Sequence, residues 1–458
     1  MSQNREQWGS KLGFILAASG SAVGIGNIWK YPSMAGQNGG GAFTLVYLAC
    51  ILVVGLSIVI AEFVIGRKTQ LSPVGAFEKL APGTNWKWVG YLGVASAFVI
   101  LSFYGVVGGW ILKYIIDSFS GGFDALAGNP EAAGTMFNGF ITSAWSPVIY
   151  QVLFMVLSIW VIVKGVKGGI EKWSKVMMPL IVILLGMLAI RGMTLPGGME
   201  GLSFLFNPRF EDLTASAIVL ALGHSFFTVS LGMGTMITYG SYLDKKQNLL
   251  NSALWVIFLD TAIAMLAGVA IFTTVFALGA NPAEGPGLIF VVLPTVFAQM
   301  AGGAIWSTMF FILLFMAALT SAISILEVVT AYFIDQKGWS RKKATIQFGA
   351  VITIVGAFCS FSLGGGINIT EFLGMPFMDF MDYLSSKYML PIGGMLTAIF
   401  VLKKWGVSNY LVELKNGMEG KNFSPQLVKA ILTIAAAVVA FILFNEVYAK
   451  IFGKALIG

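Results

Sequence analysis

The sequence predicts an all-α polytopic membrane protein of about eleven hydrophobic helices, two of them interrupted near mid-membrane. Three observations carry this. Only 11% of the 458 residues are charged while 57% are hydrophobic, and mean hydropathy is +0.84. Soluble domains carry about 25% charged residues, so the bilayer is the solvent that such a surface fits. Apolar runs of membrane-crossing length recur along the whole chain. Glycine clusters then fall inside the first and the sixth of these runs.

A helix needs about 20 apolar residues to cross the hydrocarbon core. Runs of that kind lie near 12–37, 42–66, 88–118, 145–163, 174–193, 213–240, 248–279, 305–334, 346–363, 377–402 and 427–452, numbered here spans 1 to 11. Together they make a single transmembrane domain, 1–458. Its first repeat covers about 12–193, its second about 213–402, and an extra helix covers about 427–452. The segment before Lys11 is polar and lacks the layout of a cleavable signal, so span 1 is expected to stay in the protein. Gly is abundant at 55 residues, which permits both close helix contact and breaks.

The basic residues set an orientation. Arg5 and Lys11 precede span 1. Arg67, Lys68, Lys79 and Lys87 follow span 2, and Lys164, Lys167, Lys172 and Lys175 separate spans 4 and 5. Lys245 and Lys246 follow span 6. Lys337, Arg341, Lys342 and Lys343 follow span 8, and Lys403, Lys404, Lys415 and Lys421 follow span 10. All these loops fall on one side, cytoplasmic by the positive-inside rule. The opposite loops carry Asp117, Asp124, Glu131, Glu200, Glu284 and Glu371. The expectation is a multi-pass protein of the cell (inner) membrane, N-terminus cytoplasmic and C-terminus outside. The net charge of +7 reflects this topology and does not point to nucleic acid. Cys50 and Cys359 sit within apolar runs and read as packing residues, with no disulfide framework.

Span 1 contains Gly20-Ser-Ala-Val-Gly24-Ile-Gly26-Asn27, and span 6 contains Ser230-Leu-Gly232-Met-Gly234-Thr235. Each interior glycine weakens a helix by about 1 kcal/mol relative to Ala. Non-helical backbone at membrane depth is tolerated only where it lines a cavity or is buried in protein. Paired interruptions in corresponding places of two halves point to a transporter binding site. Spans 1 and 6, five apart, would be equivalents in a five-plus-five repeat. A broken helix offers a half-helix N-terminus to a carboxylate and freed carbonyls to a small hard cation.

These residues resemble the neurotransmitter:sodium symporter family, its bacterial amino-acid branch above all. The marks are Arg5 with Trp8, Gly24-Ile-Gly26-Asn27-Ile-Trp29-Lys30-Tyr-Pro32, Asn38-Gly-Gly-Gly-Ala-Phe43 and Glu62-Phe-Val-Ile-Gly66-Arg67. They continue as Phe226-Phe227-Thr228-Val-Ser230-Leu-Gly232-Met-Gly234 in span 6 and Ala317-Ala-Leu-Thr320-Ser321 in span 8. The resemblance covers nearly the whole chain and implies the leucine-transporter fold in its eleven-helix form.

It also implies two Na+ sites. The second would use carbonyls of Gly20, Val23 and Ala317 with the hydroxyls of Thr320 and Ser321. The last three are spaced i, i+3, i+4 and so share one helix face, and oxygen-only ligands suit a hard cation. The first would use the Ala22 carbonyl, Asn27, Thr228, Asp260 and the substrate carboxylate. Asp260 stands where many relatives have Asn, and an acid in an apolar span is a functional-site hypothesis by default. Chloride-dependent relatives carry a Ser one turn further on, where this chain has Ala264. Chloride independence follows, with the Asp260 charge in chloride's role. His224, the lone histidine, stands where relatives have Gln and is expected near Tyr47 or Asp260.

By the same resemblance the substrate pocket is lined by Ser21, Ala22, Ile25, Gly26, Ile100, Tyr104, Phe227, Ser230, Met233, Ser324 and Ile325. Tyr104 would donate its hydroxyl to the substrate carboxylate. Monoamine carriers place an Asp at the Gly24 position, so Gly24 implies a substrate that keeps its carboxylate, an amino acid. Ile100, Phe227, Met233 and Ile325 favour an apolar or aromatic side chain. The outer gate would pair Lys30 with Asp382, the Lys losing the bidentate grip of an Arg. The inner gate would pair Arg5 with Asp335, helped by Trp8, Ser241 and Tyr242. Gly169 and Pro179 in span 5 resemble a family motif for unwinding that helix. The reading is a sodium-coupled symporter of hydrophobic or aromatic L-amino acids and not an enzyme. A proton-coupled or exchange-type carrier on the same fold is the alternative, kept alive by His224 and Asp260. Oligomeric state is not legible.

Overall fold

A computed structural model describes residues 5–283, 287–364, 372–418, 423–453 and 456. Glu284, Glu371 and Lys421, used above for topology, lie outside the described residues. Among the described residues the chain is helical with no β-strand.

Among the described residues nine helices are long and apolar enough to cross a membrane: Gly41–Thr69, Lys87–Phe119, Ser146–Val163, Val166–Met193, Leu249–Ala277, Gly303–Lys337, Arg341–Phe361, Phe377–Trp405 and Pro425–Phe452. They are spans 2 to 5 and 7 to 11. Span 1 is the bent pair Lys11–Ala22 and Gly26–Gln37, which turns through 51° at its break. Span 6 is split further, into Ala215–Thr228 and Thr235–Gly240. Each expected run has its helix, and ends differ by a few residues. Span 5 begins earlier than hydropathy alone placed it, at Val166, with a π-helical turn over Val166–Glu171. Pro179 lies inside the helix that continues it.

Burial ranks the spans. The most apolar window is 83% buried in span 8 and 78% in span 3, against 28% in span 11 and 39% in spans 4 and 5. Spans 3 and 8 therefore form the inner wall, packed along each other's length, and spans 4, 5 and 11 lie at the periphery. Span 6 packs against spans 2, 8 and 10. Span 1 touches spans 5, 7 and 8, and its interior residues Ala18, Val23 and Ile28 have no exposed surface.

The break in span 6 is stabilised by its surroundings. Gly232 has φ +77°, and a Cβ there would stand 2.1 Å from the Leu390 carbonyl oxygen of span 10. Only glycine meets both conditions. The Gly232 amide, freed from helix, donates to Glu62 Oε1 at 2.9 Å. Glu62 has no exposed surface. Such a carboxylate supplies an acceptor that the lost helical turn no longer provides. Ser230 also takes a positive φ, +53°, a strained conformation for a residue with a side chain. Strain of this kind gathers at functional sites.

Candidate functional site

The two breaks meet. Ser230 Oγ donates to the Ser21 carbonyl at 2.9 Å, and Ser21 Oγ donates to Ser324 Oγ of span 8 at 2.7 Å. Around this junction lies a cavity of about 20 Å³ lined by residues of spans 1, 3, 6 and 8. Of the expected pocket residues, Ser21, Ala22, Gly26, Ile100, Tyr104, Phe227, Ser230, Met233 and Ile325 line it. Ile25 and Ser324 do not. Ile25 instead gives its amide to the Tyr104 hydroxyl at 3.3 Å, and Ser324 sits behind Ser21. Gly24, Thr228 and Ser321 line the cavity as well. A space of that size holds about one water, so anything larger enters only if Phe227 and its neighbours part.

Asp260 of span 7 lies beside this chamber with no exposed surface. Asn27 Nδ2 donates to Asp260 Oδ1 at 2.8 Å and to its carbonyl at 3.1 Å. Thr228 Oγ1 donates to the same Oδ1 at 3.1 Å. Among the described residues, Asp260 Oδ2 is buried without a hydrogen-bond partner. A carboxylate held in protein at membrane depth with one free oxygen is suited to a cation. Asn27 Oδ1 meanwhile accepts from the Gly24 amide at 3.1 Å, which ties the side chain to the break itself.

A second set of oxygens converges nearby. Ser321 Oγ stands 3.2 Å from the Ser21 carbonyl oxygen and 3.5 Å from those of Gly20 and Val23. Thr320 Oγ1 donates to the carbonyls of Ala317 and Met316 at 3.0 and 3.1 Å. These are all neutral oxygens, at the point where span 1 leaves helix and faces span 8. Hydroxyls that point back to their own helix are common in membrane helices. The Ser321 hydroxyl differs, because it points across to another span.

His224 lies where expected relative to Tyr47, ring centroids 5.3 Å apart. It makes no hydrogen bond to Asp260. Both ring nitrogens are buried without a partner among the described residues.

Two ion-pair clusters flank the chamber. Lys30 Nζ lies 3.0 and 3.3 Å from the two carboxylate oxygens of Asp382 and 4.2 Å above the Phe227 ring. One nitrogen thus stands near both oxygens, without the two-nitrogen fork an Arg would offer. Beyond it a cleft of about 620 Å³ opens, lined by Trp29, Trp110, Asp379 and others. At the opposite end Arg5 pairs with Asp335, donates to Ser241 Oγ at 2.6 Å and lies over the Tyr242 ring. Trp8 donates to the Tyr239 carbonyl at 3.0 Å. Burial works against the Arg5 charge, but Tyr242 and the adjoining Asp335, with Glu327 behind them, outweigh it and hold its pKa above the ordinary value. This end also holds a group that sequence reasoning missed. Glu327, with no exposed surface, accepts from Arg341 at 2.6 and 3.0 Å and from the Tyr242 hydroxyl. Removing one partner of such a buried pair costs about 3–5 kcal/mol.

A chamber between two broken helices, with an ion-pair cluster on either side, defines a multi-pass membrane transporter. The sequence profile of the sodium:neurotransmitter symporter family matches residues 5–125 and 141–453. The chain belongs to that family. It is 41% identical over 423 residues, 92% of this chain and 93% of the relative, to an uncharacterised sodium-dependent transporter of Bacillus subtilis. It is 34% identical over 456 residues to another of Methanocaldococcus jannaschii, covering 94% of this chain and 89% of that one. Among solved structures, MhsT in complex with L-phenylalanine is 47% identical, with a TM-score of 0.88 over 96% of this chain and 99% of that one. The chain is therefore a sodium-dependent transporter of leucine-transporter fold and not an enzyme.

Proposed function

We propose that the chain is a symporter of hydrophobic or aromatic L-amino acids, driven by Na+ and independent of chloride. It lies in the cell membrane with its N-terminus and the Arg5 cluster in the cytoplasm and its C-terminus outside. The observation that carries the reading is the partnerless Asp260 oxygen beside Asn27, Thr228 and the span 1 break. One Na+ is bound there as co-substrate and a second among the Gly20, Val23, Ala317, Thr320 and Ser321 oxygens. The carboxylate of the amino acid completes the first set and meets the Tyr104 hydroxyl. Ile100, Phe227, Met233 and Ile325 take its side chain. The solved neighbour's L-phenylalanine complex supports this substrate class. Alternating access then consists of parting Lys30 from Asp382 on one side and Arg5 from Asp335 on the other.

The test is uptake of a panel of labelled amino acids into proteoliposomes at fixed sodium. Leucine, phenylalanine and tryptophan are expected to be taken up and glutamate and lysine excluded; the reverse order refutes the pocket assignment. Varying outside pH at fixed sodium addresses the proton-coupled alternative. Uptake that follows the proton gradient without sodium would establish that alternative.

Two substitutions separate the sites. Tyr104→Phe removes a hydrogen bond to a charged group, so the KM for amino acid is expected to rise on the order of tenfold. The sodium dependence should stay the same. Ser321→Ala combined with Thr320→Val should lower the sodium cooperativity of uptake towards a single-site curve. Unchanged cooperativity would place the second ion elsewhere.

A further inference from the structure

We propose that Glu171 is a positioning residue that clasps the cytoplasmic half of span 1 to the start of span 5, so that the two segments release together. The carboxylate is 2% exposed and is held from two sides. Gly9 N donates to Oε2 at 2.6 Å and Ser10 Oγ donates to Oε1 at 2.8 Å. Lys175 of span 5 donates to Oε1 at 2.6 Å. Ser10 is the N-cap of span 1, its hydroxyl accepting from the Gly13 amide at 3.0 Å. Glu171 therefore puts a negative charge on the positive end of that helix.

Gly13 makes the contact possible. A Cβ at Gly13 would stand 2.1 Å from Glu171 Oε1 and 2.3 Å from its Cδ, so the carboxylate occupies the space that any other side chain would fill. The other end of the same π-helical turn grips the chain as well. Val166 N donates to Glu6 Oε2 at 2.7 Å, and Glu6 Oε1 accepts from Arg341 at 2.7 Å. The strand of chain from Glu6 to Ser10 is thus fastened at both ends of Val166–Glu171.

The turn so fastened is itself weakly helical. Its backbone is π-helical, and Pro179 leaves the Lys175 carbonyl without an intrahelical donor. The residues it leads to cover the second cation set: a Cβ at Gly20 would be 3.3 Å from Met178 Sδ and 3.2 Å from Thr320 Cβ. Loosening 166–178 would uncover the Gly20 carbonyl from the cytoplasmic side while freeing the helix that bears it. The clasp rests on the transporter reading only in requiring that these segments part during the cycle.

The test is segment-resolved hydrogen–deuterium exchange on the full-length protein in detergent, without amino acid, for wild type, Glu171→Gln, Gly13→Ala and Lys175→Met. Loss of a charged hydrogen-bonding partner raises local opening by roughly tenfold or more. Glu171→Gln is expected to raise exchange by that factor in both 5–16 and 166–178, with 87–119 unchanged. Gly13→Ala, which displaces the carboxylate by a different route, should give the same pair of changes and serves should Glu171→Gln fail to fold. Lys175→Met keeps the Gly9 and Ser10 contacts and should leave 5–16 unchanged. A response in one segment alone in Glu171→Gln and Gly13→Ala, a rise throughout the protein, or a rise in 5–16 in Lys175→Met overturns the proposal. Because exchange is read without transport, a failure of sodium-driven uptake and a failure of the clasp are distinguishable.

Discussion

Asp260→Asn is expected to raise the sodium concentration for half-maximal uptake by one to two orders of magnitude. The carboxylate is fully buried, its Oδ1 is engaged by Asn27 and Thr228, and its Oδ2 is free. An interaction made by a charged group contributes about 1.5–3 kcal/mol, which converts to roughly 10- to 100-fold. The amide keeps the size and the Asn27 contact, so the fold should survive and thermal stability should change little. On the proposed chloride-independent reading, removing the negative charge also removes what would stand in for an anion. Uptake by the variant is therefore expected to gain a dependence on chloride. Sodium titration of uptake in chloride and in gluconate checks both. A variant that changes neither would make Asp260 a structural acid.

Gly232→Ala is expected to abolish transport and lower thermal stability. A residue with a side chain at positive φ pays about 1–3 kcal/mol in strain, and overpacking adds about 1–3 kcal/mol. Here the obstruction is the Leu390 carbonyl and the Gly394 amide, 2.1 and 2.9 Å from the added atom, and backbone has no rotamer in which to retreat. Relief would move span 6 away from span 10 and disturb the Glu62 contact that supports the break. Gly186→Ala is the control. It lies within span 5 with nothing within 4 Å of the added atom, so it should be neutral or slightly stabilising. Thermal melting of both purified variants checks the contrast.

The spans were legible because hydropathy and length are local properties. The two breaks were legible for the same reason, since Gly20, Gly24 and Gly26, and then Gly232 and Gly234, stand close together in the chain. What the sequence left open is long-range. Arg341 reads as one of the basic residues that follow span 8, and its pairing with Glu327 and Glu6 beside Tyr242 comes only from the fold; Glu327 itself, an acid inside span 8, carried a signal that went unused. Glu171 reads as one acid among the basic residues of the span 4–5 loop, and only the fold sets it against Gly9 and Ser10. Glu62 was visible as part of a motif, but its role as acceptor for the Gly232 amide depends on span 6 being unwound. Ile25 and Ser324 fall outside the lining of the present cavity for a related reason. Spacing fixes which face of a helix a residue lies on but not which of two stacked side chains reaches the chamber, and Ser21 stands in front of Ser324. His224 shows the same limit, since its neighbours, and not its place in span 6, decide that its nitrogens find no partner.

The central claim is that sodium drives an amino acid inward without an anion. It is tested most directly by labelled L-phenylalanine uptake into chloride-free proteoliposomes under an inward sodium gradient. Uptake is predicted to rise transiently above its equilibrium level and to lose that overshoot when the gradient is collapsed. Equal uptake with choline in place of sodium, or none until chloride is restored, would contradict it.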